Sequence, residues 1–356
     1  MTPLISSVTA TEGAAASTVA GVAASPRRPA LRLVSTRNLS RDDWLEVRTR
    51  GVGSSDAAAA VGLNPYQSRL ELWMQKTGRG HLLPQIDPKD DNTPLYWGTL
   101  LEPIVAAHYT RRTGRRVRRV NAVLQHPEHE WMLANIDREV LGAPAVQILE
   151  CKTAGIQGAR LWEEGVPEYV QLQVMHQLAV TGKQAADVAV LVGGQELRIH
   201  RIERDESMIL NLISLEREFW HFVERDEAPP PDGSESAEHA LRCLYPKDHG
   251  GVIDAREDTE MASTFSELVA VRQRLVEHEL LQAQLRQRIE QRMGDASRIL
   301  FEDGEVSWKR SRDGRTLDTT RLLEVQPELL QTYGVDKPGS RRFLVRSGTG
   351  NSPAAT

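Results

Sequence analysis

Cysteine is scarce in this 356-residue chain: there are two, Cys151 and Cys243. Two cannot supply a four-thiolate zinc site or an iron–sulfur cluster. They could pair, but nothing marks a secreted disulfide scaffold. No apolar run approaches the length that spans a bilayer, so no membrane partner is expected. Neither charge sign is in strong excess, with 44 Lys and Arg against 49 Asp and Glu and a formal net charge of −5. A polycation that coats nucleic acid is a poor fit, and any nucleic-acid contact must be local. The N-terminal stretch "MTPLISSVTATEGAAASTVAGVAASPRRP" has no basic segment ahead of its apolar part. A signal peptide is therefore not expected, and the expected location is the cytoplasm of a bacterial host cell.

What is present is ordinary for a globular protein: 40% apolar and 26% charged residues. The length allows one large domain with appendages, or two domains. Residues 1–32, rich in Ala, Ser and Thr, read as a disordered leader. Ser40 looks like a cap before a short helix, and "GVGSSDAAAAVGL" reads as a turn followed by an Ala-rich helix. "GTLLEPIVAAHYTRRTG" carries helical spacing and a Gly stop at 114. "RRVRRVNAVLQH", "WMLANIDREVLG" and "AVQILECKT" each read as one strand. A helix over 168–181 follows, then a hairpin turning at Gly193-Gly194 and an amphipathic helix. This order predicts an α/β fold with a mixed central sheet flanked by helices over 33–228. The Pro-rich "APPPDGSES" marks the boundary. A mainly helical extension over 229–347 holds a long polar helix (258–293) and a hairpin at Asp303-Gly304, and a loose tail covers 348–356.

Chemistry concentrates in "NIDREVLGAPAVQILECKT". Strand side chains alternate faces, so Glu150 and Lys152 project to the same side. A turn at "LGAPA" would bring Asp137 beside Glu150. Two carboxylates on adjacent strands make an oxygen site suited to Mg²⁺, and the main-chain carbonyl of Cys151 is a further candidate ligand. The Cys151 thiol points to the opposite face and reads as packing. A lysine beside such an ion can orient or deprotonate a water, or offset negative charge. Seen alone, an Asp followed by Glu-x-Lys is common by chance, and a solvated hairpin is the simpler account. Glu102, with Pro103 after it, is either a dipole residue at a helix start or part of an acidic cluster. Gln173 and Gln177 lie one turn apart on an otherwise apolar helix, with Tyr169 a turn earlier. "RRTGRRVRR" packs six Arg into residues 111–119, either a solvated strand edge or a phosphate-tracking patch.

Taken together, "WLEVRTRGVGSSDAAAAVGLNPYQSRLELWMQKTG", "WGTLLEP", "ANIDREV", "LECKT" and "EYVQLQVMHQLAVTG" resemble, in order and spacing, the YqaJ-type viral recombinases. These are alkaline exonucleases similar to lambda exonuclease, within the PD-(D/E)XK nuclease superfamily. The resemblance covers about residues 36–230. It implies a restriction-endonuclease-like core, with Asp137 and Glu150 as metal-binding carboxylates and Glu102 as the helical glutamate of the same cluster, beside the Cys151 carbonyl named above as a further candidate metal ligand. Lys152 matches the active-site lysine and Gln173 the glutamine that lines the site. Arg48 and Ser55 match the pair that holds a terminal 5′-phosphate, with Arg50 and Ser54 as close competitors. A guanidinium fork, a hydroxyl and turn amides make a sound phosphate cradle. Ile136 stands where the superfamily pattern has Pro.

The implied activity is Mg²⁺-dependent hydrolysis of linear double-stranded DNA from 5′ ends, with Mn²⁺ as a substitute, in phage-type recombination. Implied partners are DNA, a single-strand annealing protein and further copies of the chain in a ring. Two alternatives stand beside it. An endonuclease on the same fold would cut closed circular DNA, which an exonuclease leaves intact. An inactive DNA-binding or assembly protein would not need the full Asp137, Glu150 and Lys152 set.

Overall fold

The structure, a computed structural model, describes residues 29–337 and 339–347. Most of the expected leader and all of the expected tail lie outside the described residues. The chain divides into two compact units, the first ending at Leu244 and the second beginning at Tyr245.

The first unit runs β1 (Leu31–Ser35), α1 (Arg41–Thr49), β2 (Val52–Gly53), α2 (Ala57–Ala60), α3 (Arg69–Lys76), α4 (Pro94–Thr113), β3 (Arg116–Arg119), β4 (Ala122–Gln125), β5 (Met132–Ala134) and β6 (Arg138–Leu141). It continues through β7 (Ile148–Ala154), α5 (Glu168–Thr181), β8 (Ala185–Val192), β9 (Glu196–Glu203), α6 (Glu206–Arg225) and α7 (Glu235–Leu244). The second holds α8 (Thr259–Met293), the antiparallel pair β10 (Arg298–Leu300) and β11 (Glu305–Ser307), α9 (Thr319–Val325) and α10 (Glu328–Tyr333). The fold is α/β with mixed sheets flanked by helices and a mainly helical C-terminal region, as expected. No helix among the described residues is long and apolar enough to cross a membrane.

Two sheets stand where the sequence reads one. The larger has the order β3-β6-β7-β8-β9, with β7 and β8 parallel and the other pairs antiparallel. The smaller has the order β1-β4-β5-β2. Two segments read as single strands are each broken: β3 and β6 belong to the large sheet, β4 and β5 to the small one. The breaks fall at Val120-Asn121 and at Asn135–Asp137. The second break ends the β6 pairing just as the chain reaches its key carboxylate.

β7 and β8 are central because they are apolar on both faces. Ile148, Val188 and Val190 pack with α5 in one core, and Leu149 and Ala189 pack with Val105 and Tyr109 of α4 in another. Burying each of the Ile, Leu and Val side chains contributes roughly 1.5–3 kcal/mol. α5 is stitched to the β5–β6 crossing by His176, whose Nε2 donates to the Leu133 carbonyl at 2.9 Å while Nδ1 meets Glu216 at 2.8 Å. Burial disfavours a charged imidazole there, but the Glu216 carboxylate outweighs it and raises the His176 pKa.

Three expected boundaries move. β1 begins at Leu31, ahead of the expected start at 33, because it pairs with β4. The first unit continues past 228 to Leu244, since α7 buries Ala237 and Ala240 and its Ser236 hydroxyl bonds Glu71 of α3 at 2.6 Å. α4 begins at Pro94, capped by the Thr93 hydroxyl, so Glu102 is an interior residue and not a dipole partner at the helix start. Ser40 caps α1 as expected, its hydroxyl accepting from the Asp43 amide.

Candidate active site

β6 and β7 are antiparallel with Arg138 opposite Leu149, a register that sets Asp137 opposite Glu150. The strands part at this point, and Asp137 Oδ2 accepts the Cys151 amide at 2.8 Å in place of a ladder bond. A strand residue sends its N–H and C=O to the same edge. The Cys151 carbonyl therefore also faces the gap beyond the end of β6. Its thiol packs on the α4 side, and burial pushes it up, so it is inert.

Glu150 is held on every side. Lys152 Nζ lies 2.8 Å from its Oε1 and donates to Gln173 Oε1 at 2.8 Å. Gln173 Nε2 donates to the same Glu150 oxygen at 2.6 Å. Gln177 Nε2 donates to the other, Oε2, at 2.8 Å. Burial works against the Lys152 charge, but the Glu150 carboxylate raises its pKa above the ordinary lysine value. Among the described residues Asp137 makes no ion pair of this kind, and Lys152 acts on it only as the smallest of its influences. Burial and then the facing Glu150 push its carboxyl up to about 8, while the Cys151 amide pulls the other way.

That contrast tests the fit to a divalent cation. Two carboxylates face each other, the Asp137 carboxyl has its pKa raised for want of positive charge, and a neighbouring carbonyl offers a third oxygen. Such a set suits Mg²⁺, which keeps several waters and binds through one or two carboxylates. Glu102 is less well placed. Arg138 points to the α4 side, bonds Glu102 Oε1 there and donates to its neighbour's carbonyl, Asp137 O, at 2.8 Å. Among the described residues no three His, Cys, Asp or Glu side chains converge as a metal-binding group. Glu102 still lines the cleft of about 370 Å³ that holds Asp137, Glu150, Lys152 and Thr153, with Gly98 and Thr99 on the α4 wall.

The second group forms where α1 meets the turn after β2. Arg48 donates to the Ser55 hydroxyl at 3.0 Å and pairs with Asp56. Arg50 instead pairs with Glu46 in solvent, and Ser54 is buried with its hydroxyl 3.4 Å from the Asn135 carbonyl. Of the competing residues, only Arg48 and Ser55 come together. Gly51 makes the approach possible, because a Cβ there would collide with the Trp131 carbonyl oxygen.

Two residues were missed or undervalued by the sequence reading. Asp56 is buried and ties Arg48, the Lys76 ammonium at 2.6 Å and the Gly53 amide at 3.0 Å. Burial opposes its charge, yet Arg48 and Lys76 hold its carboxyl well below the usual range. The signal was Asp closing "GSSD", with no hint of a lysine twenty residues on. Gln177 was noted beside Gln173 but given no role. It is fully buried, grips Glu150 and donates to the Asn135 carbonyl at 3.2 Å.

Fold and site together define an α/β protein with an acidic, lysine-bearing cleft at the end of a central strand. Residues 43–184 match the YqaJ-like viral recombinase domain. The chain is 34% identical over 304 residues to the uncharacterised protein YqaJ of Bacillus subtilis (strain 168), covering 84% of this chain and 92% of that protein. It belongs to the YqaJ-like viral recombinase family. Among solved structures it is similar to an alkaline exonuclease (LHK-Exo) from Laribacter hongkongensis, at 23% identity and a TM-score of 0.42 over 52% of this chain and 93% of that one. A phage-related exonuclease from Haemophilus somnus 129PT is similar at 11% identity and a TM-score of 0.35, over 51% and 99%.

Proposed function

We propose that the protein is a Mg²⁺-dependent exonuclease that hydrolyses phosphodiester bonds of linear double-stranded DNA from 5′ ends. The observation that carries this reading is the cleft in which Asp137 faces Glu150 while Lys152, Gln173 and Gln177 fix the Glu150 carboxylate. Membership of a viral recombinase family supports work on DNA ends. Asp137, Glu150 and the Cys151 carbonyl would hold Mg²⁺ or Mn²⁺. A bound ion there would supply Lewis acidity and lower the pKa of a coordinated water.

The side chains divide the remaining work. Lys152 acts as a cation, since its ammonium is held charged between Glu150 and Gln173. It positions the attacking water and offsets charge on the phosphate. Gln173 and Gln177 keep Glu150 from swinging away. Arg48, Ser55 and the turn amides hold the terminal 5′-phosphate. Water adds its oxygen to the phosphorus of the second nucleotide, the bond to the first nucleotide's 3′-oxygen breaks, and that oxygen leaves protonated. The new end again carries a 5′-phosphate, so the cradle is refilled at each step. The 3′ single strand left behind is what a single-strand annealing partner would take up.

The test uses 5′-labelled linear and covalently closed circular duplex with Mg²⁺ or EDTA. Wild type should release nucleotides from the linear DNA with Mg²⁺ alone and leave the circle intact. Glu150→Ala and Lys152→Ala should be inactive yet folded. Rapid cutting of the circle would replace the reading with an endonuclease, and an active purified variant would sink the site.

A further inference from the structure

The arginine run at 111–119 does not act as one unit. Arg112 is spent on the Leu197 carbonyl, and Arg115 on the buried Asp187 at 2.7 Å, where Arg201 joins it at 3.0 Å. These are structural bonds that tie α4 and β9 to β8. Arg118 and Arg119 on the edge strand β3 take another course. With Arg32 and Arg37, some eighty residues away in sequence, and with Ser35 and Asn121, they line one groove.

The charge of this groove is unbalanced. Its one acid, Glu139, is already shared between Arg118 at 2.6 Å and Lys183 at 3.2 Å. The side chains of Arg32, Arg37 and Arg119 make no hydrogen bond or ion pair among the described residues, and all three are exposed. Its position is as telling. Arg119 pairs directly with Arg138 across β3 and β6, and Asp137 is the residue just before β6. The groove therefore runs along the edge strand that neighbours β6, the strand that follows the candidate metal ligand Asp137.

We infer that the Arg32–Arg37–Arg118–Arg119 groove holds the phosphate backbone of the duplex adjoining the end being cut. This rests on the proposed nuclease reading and adds the surface on which the substrate lies. Duplex is favoured over the released single strand by what the lining lacks. Surfaces that hold single strands combine positive charge with aromatic side chains on which bases stack. None of the groove's residues is aromatic. Guanidinium forks suit bidentate contact with phosphates, and phosphate contacts position a duplex without reading its sequence. A local track of this kind also reconciles DNA binding with a net charge of −5.

The test compares wild type with Arg32→Gln/Arg37→Gln/Arg119→Gln, and with each single change in case the triple variant folds poorly. Binding to a 5′-phosphorylated blunt duplex and to a single-stranded oligonucleotide is titrated with salt in the presence of Ca²⁺, which favours binding over cleavage. Each lost phosphate contact lowers the slope of log K against log salt by about 0.9 on duplex. The triple variant should lose about 2–3 from the slope, each single variant up to about 1, and single-strand binding should hardly change. Nuclease runs on long linear DNA should shorten, while cleavage of a saturating short duplex at low salt continues. An unchanged duplex slope in folded variants overturns the inference, and so does a loss confined to single strands. Neither result touches the nuclease reading, which fails separately if wild type releases no nucleotides.

Discussion

Gln177 donates its amide to Glu150 Oε2 at 2.8 Å where both are buried, and its own carbonyl oxygen finds no partner among the described residues. The side chain is therefore oriented by its two donor bonds, to Glu150 and to Asn135. Such a residue is fully buried. Its contribution is to hold a carboxylate in one place.

Replacing Gln177 by Leu should strip Glu150 of one partner and leave a buried oxygen unsatisfied, a cost of about 1–3 kcal/mol. We expect a lower melting temperature and a fall in kcat larger than any change in KM. Gln173→Ala should lower activity as well, with a smaller stability loss because Gln173 is only partly buried. Equal stability losses in the two variants would contradict this division.

Asp137 should make the metal-free protein pH-sensitive. Its folded pKa lies near 8, above the ordinary value of 3.8. Between those values the folded state binds the extra proton, so stability falls as pH rises from about 4 to about 8. In EDTA, Asp137→Asn should be more stable than wild type at pH 8, and equal to it near pH 4. Loading a cation must displace that proton, so Mg²⁺ affinity should increase with pH up to about 8. Melting curves at both pH values and a titration with Mg²⁺ read the two effects.

Removing the 5′-phosphate from linear DNA should slow wild-type digestion. Arg48→Ala should digest both ends at the same reduced rate, and Ser55→Ala should fall between. Equal wild-type rates on the two ends would remove the cradle.

Asp56→Ala should be among the most destabilising changes in the chain. It leaves the Lys76 ammonium buried without its partner, which costs about 3–5 kcal/mol. Thermal unfolding would show it. Arg48→Ala should be milder, because Lys76 still neutralises Asp56.

The sequence carried the helices and the hairpin at Gly193-Gly194 well, since both glycines take the positive φ that the turn requires. It also carried Asp137, Glu150 and Lys152 to one spot, because strand alternation and one turn suffice to place them. It did not carry the split into two sheets. Val120-Asn121 and Asn135–Asp137 have no Gly or Pro to mark the breaks, and only the pairing of β4 and β5 with other strands makes them. The same limit applies to Glu102. Its tie to Arg138 follows from which face of β6 looks toward α4, a fact of packing that no local spacing encodes. Arg48 and Ser55 separate from Arg50 and Ser54 only once the Gly51 turn is folded.

The Asn135 carbonyl takes hydrogen bonds from Gln177 at 3.2 Å and from the Ser54 hydroxyl at 3.4 Å. One donor belongs to the helix that grips Glu150, the other to the turn that presents Ser55. On the proposed reading, end capture and cutting would be gauged against the same peptide group, as two jaws share one pin. On the proposed reading, the length clipped per turnover is a constant of the scaffold. Loosening Ser54 should then broaden product sizes before it slows their release.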